Sequence, residues 1–177
     1  MKLVMKKLKI FVYVLPFVFL ISCIENEKTL WGDSLVEFDA TVLNAPALGK
    51  DFPLLTRVPL YGRPVVTTGA SANPVITRAS GTISFRVNFV SPQRSSAETI
   101  GLVVVDAETT AIEGVHYTIS NTITIAANSS YADYVVNVID PGVPSATPVD
   151  LVVELTGNET IDPSPNYKRL GIRISQN

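Results

Sequence analysis

Ile83-Ser84-Phe85-Arg86-Val87-Asn88-Phe89 alternates apolar and polar side chains without a break. Side chains of a β-strand point in turn to opposite faces, so a period of two predicts a strand with one face in a core and the other toward water. The same period recurs on both sides of this stretch. Before it, Val36, Phe38, Ala40 and Val42 alternate with Glu37, Asp39 and Thr41; after it come Ile100, Leu102 and Val104, then Ile123 and Ile125 between threonines. Tyr134, Val136 and Val138 follow, then Val149, Leu151, Val153 and Leu155, and last Leu170, Ile172 and Ile174. Seven strands are therefore expected. Val103 and Val105 add apolar side chains to the second face of the 100–105 stretch, which suggests a central strand covered on both sides.

Ser91-Pro92, Asn128-Ser129-Ser130, Asp140-Pro141-Gly142 and Asp162-Pro163-Ser164-Pro165 separate these strands with turn chemistry. Twelve prolines disfavour long helices. The fold class expected is all-β, a seven-stranded immunoglobulin-like antiparallel β-sandwich, without the cysteine pair and core tryptophan of antibody domains. Residues 44–81 break the pattern, with Pro46, Pro53, Pro59, Pro64 and Pro74 among short apolar pieces. An irregular edge strand is expected over residues 58–66, with a flexible tip over 67–73. Prolines there protect a sheet edge from pairing with other chains. A second reading has Arg57, Tyr61 and Arg63 projecting from the segment as a binding patch.

The N-terminus carries a different signal. Lys2, Lys6, Lys7 and Lys9 precede an apolar run from Ile10 to Ile21, which ends at Ser22-Cys23. The run is short, and Glu25, Glu27 and Lys28 follow it closely, so a spanning helix of about 20 apolar residues is not expected. This stretch resembles the bacterial lipoprotein signal, in which a small residue precedes a cysteine that is acylated before cleavage. The resemblance implies a signal peptide over residues 1–22, lipidation of Cys23, a tether over 23–33 and a sandwich domain over 34–177. Each buried methylene contributes about 0.8 kcal/mol, so two or three acyl chains hold firmly to membrane lipid. Glu25 and Glu27 also resemble the acidic export signals of Bacteroidota surface lipoproteins. Outer-membrane anchoring at the cell surface is therefore expected, with the periplasmic face as the alternative. Trp31, near the tether, is expected to pack against the bottom of the sandwich rather than stack on a ligand.

Cys23 is the sole cysteine, so no intramolecular disulfide is available and stability must come from packing. Loss of the leader leaves ten basic residues against sixteen acidic ones. Such a balance, with arginines scattered among neutral polar residues, argues against a nucleic-acid partner.

Ala111-Ile112-Glu113-Gly114-Val115-His116-Tyr117-Thr118, followed by Ile123-Thr124-Ile125 and residues 135–140, resembles Calx-β-like domains and related lipoprotein domains of Bacteroidota. In those families a small residue, a glycine and a tyrosine open a hairpin of this spacing, and Ala111, Gly114 and Tyr117 hold those places. Gly114 is expected to adopt a positive φ. Tyr117 is expected to bury its ring and bond its hydroxyl to nearby backbone. Calx-β domains that bind calcium use clustered carboxylates at one end of the sandwich. Here His116 stands where an aspartate is usual, and nothing in the spacing of Glu113, Asp140 and Asp106 demands that they converge, so no metal or cofactor is expected, with a weak calcium site on these three acids as the alternative.

His116 is the only histidine, and it is expected to be a hydrogen-bonding turn residue. No G-x-S-x-G elbow or phosphate-binding loop occurs, and Asp150 and Glu154 are expected on a solvated face. The chain is thus expected to be a non-catalytic surface module for a polysaccharide or an outer-membrane protein complex, with Tyr61, Tyr131 and Tyr167 as stacking or hydrogen-bonding groups. The alternative is a fimbria-like subunit exported as a lipoprotein, cut after Arg57 or Arg63, and assembled by strand donation.

Overall fold

The computed structural model describes residues 32–177. Within them, the alternation that opens the sequence reading is realised as β3 (Thr82–Val90), whose Ile83, Phe85, Val87 and Phe89 are buried while Ser84, Arg86 and Asn88 face outward. β1 (Leu35–Phe38) and β7 (Tyr131–Val138) flank it, both antiparallel. β5 (Tyr117–Ile119) and the short β9 (Asp162–Pro163) complete a first sheet in the order β5-β7-β3-β1-β9. The second sheet runs β2-β10-β8-β4-β6, from β2 (Leu54–Leu55), β4 (Glu98–Val104), β6 (Thr122–Ile125), β8 (Val149–Gly157) and β10 (Arg169–Ile174). Odd-numbered strands all lie in one sheet and even-numbered strands in the other. Every connection therefore crosses the sandwich, and among the described residues no strand pairs with its sequence neighbour.

The described residues are thus an all-β sandwich of ten strands rather than seven. The additional ones are β2, β5 and β9, each too short to show a period. Ala40 and Val42 do not extend β1, because Asp39–Leu43 forms one helical turn, α1. Adjacent residues Ala40 and Thr41 are both buried there, which an extended strand cannot arrange on one face. Thr41 donates its hydroxyl to the Arg169 carbonyl of β10 at 2.8 Å, so α1 carries the chain from the first sheet toward the second. The expected hairpin after Tyr117 is also absent: β5 pairs with β7 and β6 with β4, on opposite sides of the core.

Between the sheets, Phe38 and Tyr134 meet at 6.1 Å between ring centroids with planes tilted by 58°. A second apolar contact lies on the outer face of the second sheet. There Phe52 and Val152 are fully buried, and Gly171, the partner of Val152 in the ladder, leaves room for the Phe52 ring. The strand covered on both sides is therefore β8; Val103 of β4 is 47% exposed. Charged side chains surround Phe52. Lys50 and Arg169 lie over its ring at 5.0 and 5.6 Å, and Glu108 bonds Lys50 at 2.6 Å and Arg169 at 3.2 Å. Asp150 and Glu154 do face outward, but Arg173 grips both oxygens of Asp150 at 2.8 Å, and Glu154 binds Lys168 and Arg169.

The segment 44–81 places its strand at β2, parallel to β10, rather than over 58–66. Beyond β2, residues 56–58 pair with 74–76 through Ile76 N–H to the Thr56 carbonyl and Val58 N–H to the Pro74 carbonyl, each at 2.9 Å. The turn over 67–73 is held by Asn73, which is buried. Its Oδ1 accepts from Val66 N–H at 2.8 Å, its Nδ2 donates to the Val58 carbonyl at 2.8 Å, and its own N–H donates to the Val66 carbonyl at 2.9 Å.

Candidate functional site

The loop that follows Val58 crosses the outer face of the first sheet and brings Tyr61 onto it. Gly62 makes the reversal with φ +72°, and its N–H donates to Asp39 Oδ2 at 3.0 Å. Asp39 Oδ1 accepts from Asn88 Nδ2 at 3.1 Å, which ties the loop through α1 to β3. The Tyr61 hydroxyl donates to Asp133 Oδ1 of β7 at 2.8 Å. Burial above all, with the Asp133 bond and charge adding to it, raises the Tyr61 pKa and keeps this phenol protonated as the donor.

At the centre stands Arg86. Its guanidinium carbon lies 4.2 Å from the Tyr61 ring centroid and 4.0 Å from that of Tyr131, within the range of a cation–π contact. The strand ladder sets this up. Asp133 is opposite Arg86 and Tyr131 is opposite Asn88, so Tyr131 is the diagonal neighbour of Arg86. Tyr61 is 39% and Tyr131 46% exposed, so the two rings are open to solvent, while Arg86 between them is half-buried.

Two of the five sequence candidates therefore converge, and the others do not join them. Arg57 donates to the Asn73 carbonyl and is structural. Arg63 is exposed two residues beyond Tyr61 on the same loop. Tyr167 is elsewhere, on a cleft of about 580 Å³ with Thr41, Asn44, Asp51 and Pro165, and its carbonyl accepts from Phe38 N–H at 3.0 Å. Cys23 and Trp31 lie outside the described residues. Sequence reasoning passed over Arg86 as one arginine among several. The available signal was its place at the middle of the clearest strand, on the outward face.

The turn around His116 is built as expected at two points. Gly114 has φ +78°, and His116 Nδ1 accepts from Ile112 N–H at 2.9 Å. Tyr117 buries its ring, but its hydroxyl makes no backbone hydrogen bond within the described residues. Asp140 bonds Arg78 at 2.7 Å and the Gly142 N–H at 2.8 Å, and among the described residues no three His, Cys, Asp or Glu side chains gather as a metal site would need.

No protein-family model matches the chain, and neither does any curated protein. The chain is similar to solved Calx domains. The Calx CBD1 domain in its apo form aligns at 13% identity with a TM-score of 0.48, over 58% of this chain and 88% of that one. CBD12 from CALX1.2 aligns at 14% identity with a TM-score of 0.46, over 56% of this chain and 40% of that one. A candidate carbohydrate-binding protein from Bacteroides ovatus ATCC 8483 aligns at 13% identity with a TM-score of 0.40, over 55% of this chain and 32% of that one. No residue role is transferred at such identities.

Proposed function

We propose that this chain is a non-catalytic binding module, held at the outer membrane by acyl chains on Cys23, that presents the outer face of its first sheet to a surface glycan. The observation that carries this reading is the meeting of Tyr61, Arg86 and Tyr131 on an open sheet face. Aromatic rings beside fixed hydrogen-bonding groups suit a pyranose, whose C–H faces pack on the rings while its hydroxyls bond to the polar groups. The single histidine and the two carboxylates of β8 each have a structural partner, which favours a binding role. His116 Nδ1 accepts a backbone N–H, and Asp150 and Glu154 are bound by arginines.

The full-length lipoprotein in detergent micelles tests the reading. Mass spectrometry is expected to find acylated Cys23 at the N-terminus, and affinity electrophoresis is expected to show retardation by at least one polysaccharide. An N-terminus beyond residue 57 would point instead to the processed, fimbria-like subunit. Acylation without retardation in any glycan would leave a protein complex as the partner.

A further inference from the structure

Arg57, Arg78, Arg94, Arg169 and Arg173 each donate to a protein oxygen. Among the described residues Arg63 and Arg86 do not; Arg86 lies between Tyr61 and Tyr131, and Arg63 is exposed two residues beyond Tyr61 on the same loop. Arg86 is the more demanding case, because its Nε is buried without a partner among the described residues. The carboxylate best placed to neutralise it, Asp133 across the ladder, instead accepts the Tyr61 hydroxyl. Asp39 is likewise occupied on both oxygens, by Asn88 and by the Gly62 N–H. The two rings fix the guanidinium in place, so little freedom remains to be lost when a ligand binds.

A rigid, uncompensated guanidinium calls for an oxyanion that accepts two parallel N–H bonds. We propose that Arg86 anchors an acidic polysaccharide, binding a uronate carboxylate or a sulfate ester while Tyr61 and Tyr131 border the sugar ring and Arg63 adds attraction from the loop. This rests on the glycan-binding reading above and specifies its ligand class. An acidic peptide fits less well. Peptides commonly dock by adding a strand, and the edges of this sheet, β5 and β9, are three and two residues long.

Affinity electrophoresis of the full lipoprotein in micelles separates the possibilities, with gels containing polygalacturonate, a sulfated galactan, a neutral galactan or poly-glutamate. Retardation by polygalacturonate or by the sulfated galactan is expected, and whichever acts identifies carboxylate or sulfate as the group bound. Arg86→Gln is expected to weaken that binding by roughly tenfold or more, the scale of a lost charge-assisted pair. Arg63→Gln, on an exposed loop, is expected to weaken it to a smaller extent and keeps the proposal open to refutation if Arg86→Gln fails to fold. Undiminished retardation of folded Arg86→Gln overturns the proposal, as does unchanged binding by Arg63→Gln when Arg86→Gln is unfolded. Equal binding to poly-glutamate overturns the saccharide class. Retardation by neutral galactan alone overturns the anionic site and leaves glycan binding standing, whereas no retardation by any polysaccharide overturns both.

Discussion

Gly171 of β10 runs beneath Phe52 so closely that a Cβ on the glycine would fall 2.9 Å from the ring's Cε2. The same Cβ would lie 3.1 Å from the Pro53 carbonyl oxygen and 2.8 Å from Leu54 Cδ1. Leu54 can rotate away; the buried ring and the backbone carbonyl cannot. Gly171→Ala is expected to destabilise the domain by about 1–3 kcal/mol, as overpacking does. Urea unfolding of Gly171→Ala, Phe52→Ala and the double variant checks the cause. If the contact is responsible, Gly171→Ala costs much less in the Phe52→Ala background.

Asn73 closes the irregular segment through its side chain, so Asn73→Ala removes one partner from the Val66 N–H and one from the Val58 carbonyl. A loss of about 2 kcal/mol is expected, since both groups are partly buried. Thermal unfolding gives the measure. An unchanged melting temperature would mean that water replaces the amide, and that this segment contributes little to stability.

Two carboxylates on opposite outer faces should respond to pH in opposite senses. Burial, with the Asp39 charge adding and a bond from Asn88 opposing, raises the Glu37 pKa above its ordinary value. The folded state then holds a proton that the unfolded state has lost, so Glu37 makes stability fall as pH rises from the ordinary carboxylate value through the raised one. Burial also acts on Glu154, but bonds from Lys168 and Arg169 outweigh it and lower the pKa. Its contribution is present above the ordinary value and lost as pH falls through the lowered one. Glu37→Gln is therefore expected to raise the melting temperature more at pH 7 than at pH 4, and Glu154→Gln to lower it more at pH 7 than at pH 3. Calorimetry across that range decides both signs.

The Tyr134 hydroxyl is buried and finds no hydrogen-bond acceptor among the described residues. Burial foremost pushes its pKa far up, so the phenol stays neutral. Tyr134→Phe keeps the ring against Phe38 and removes the unpaired group, and is expected to be neutral or stabilising by about 1 kcal/mol. A clear destabilisation in urea would reveal a bound water at this position.

The inward faces of β3, β7, β8 and β10 were legible because alternation is written into consecutive residues. Ile83 through Phe89 needs no knowledge of its neighbours to predict which side is buried. Three things were not. The strands β2, β5 and β9 are two or three residues long and exist through pairing with longer partners. The break at Asp39 reflects the Thr41 bond to Arg169, a contact across 128 residues. The site at Arg86 needed a loop residue, Tyr61, placed over a strand 25 positions onward in sequence.

By itself, then, the amino-acid order determined a β-rich chain with one-sided strands, its turns and the glycine of the His116 turn. Only the tertiary structure decided that odd and even strands separate into two sheets, that β8 rather than β4 is covered on both faces, and that Tyr61 and Tyr131 close on one arginine. The division has a physical cause. Side-chain direction along a strand follows from local backbone geometry, whereas the choice of partner strand depends on which distant surfaces exclude water together, and no short window of sequence contains that information.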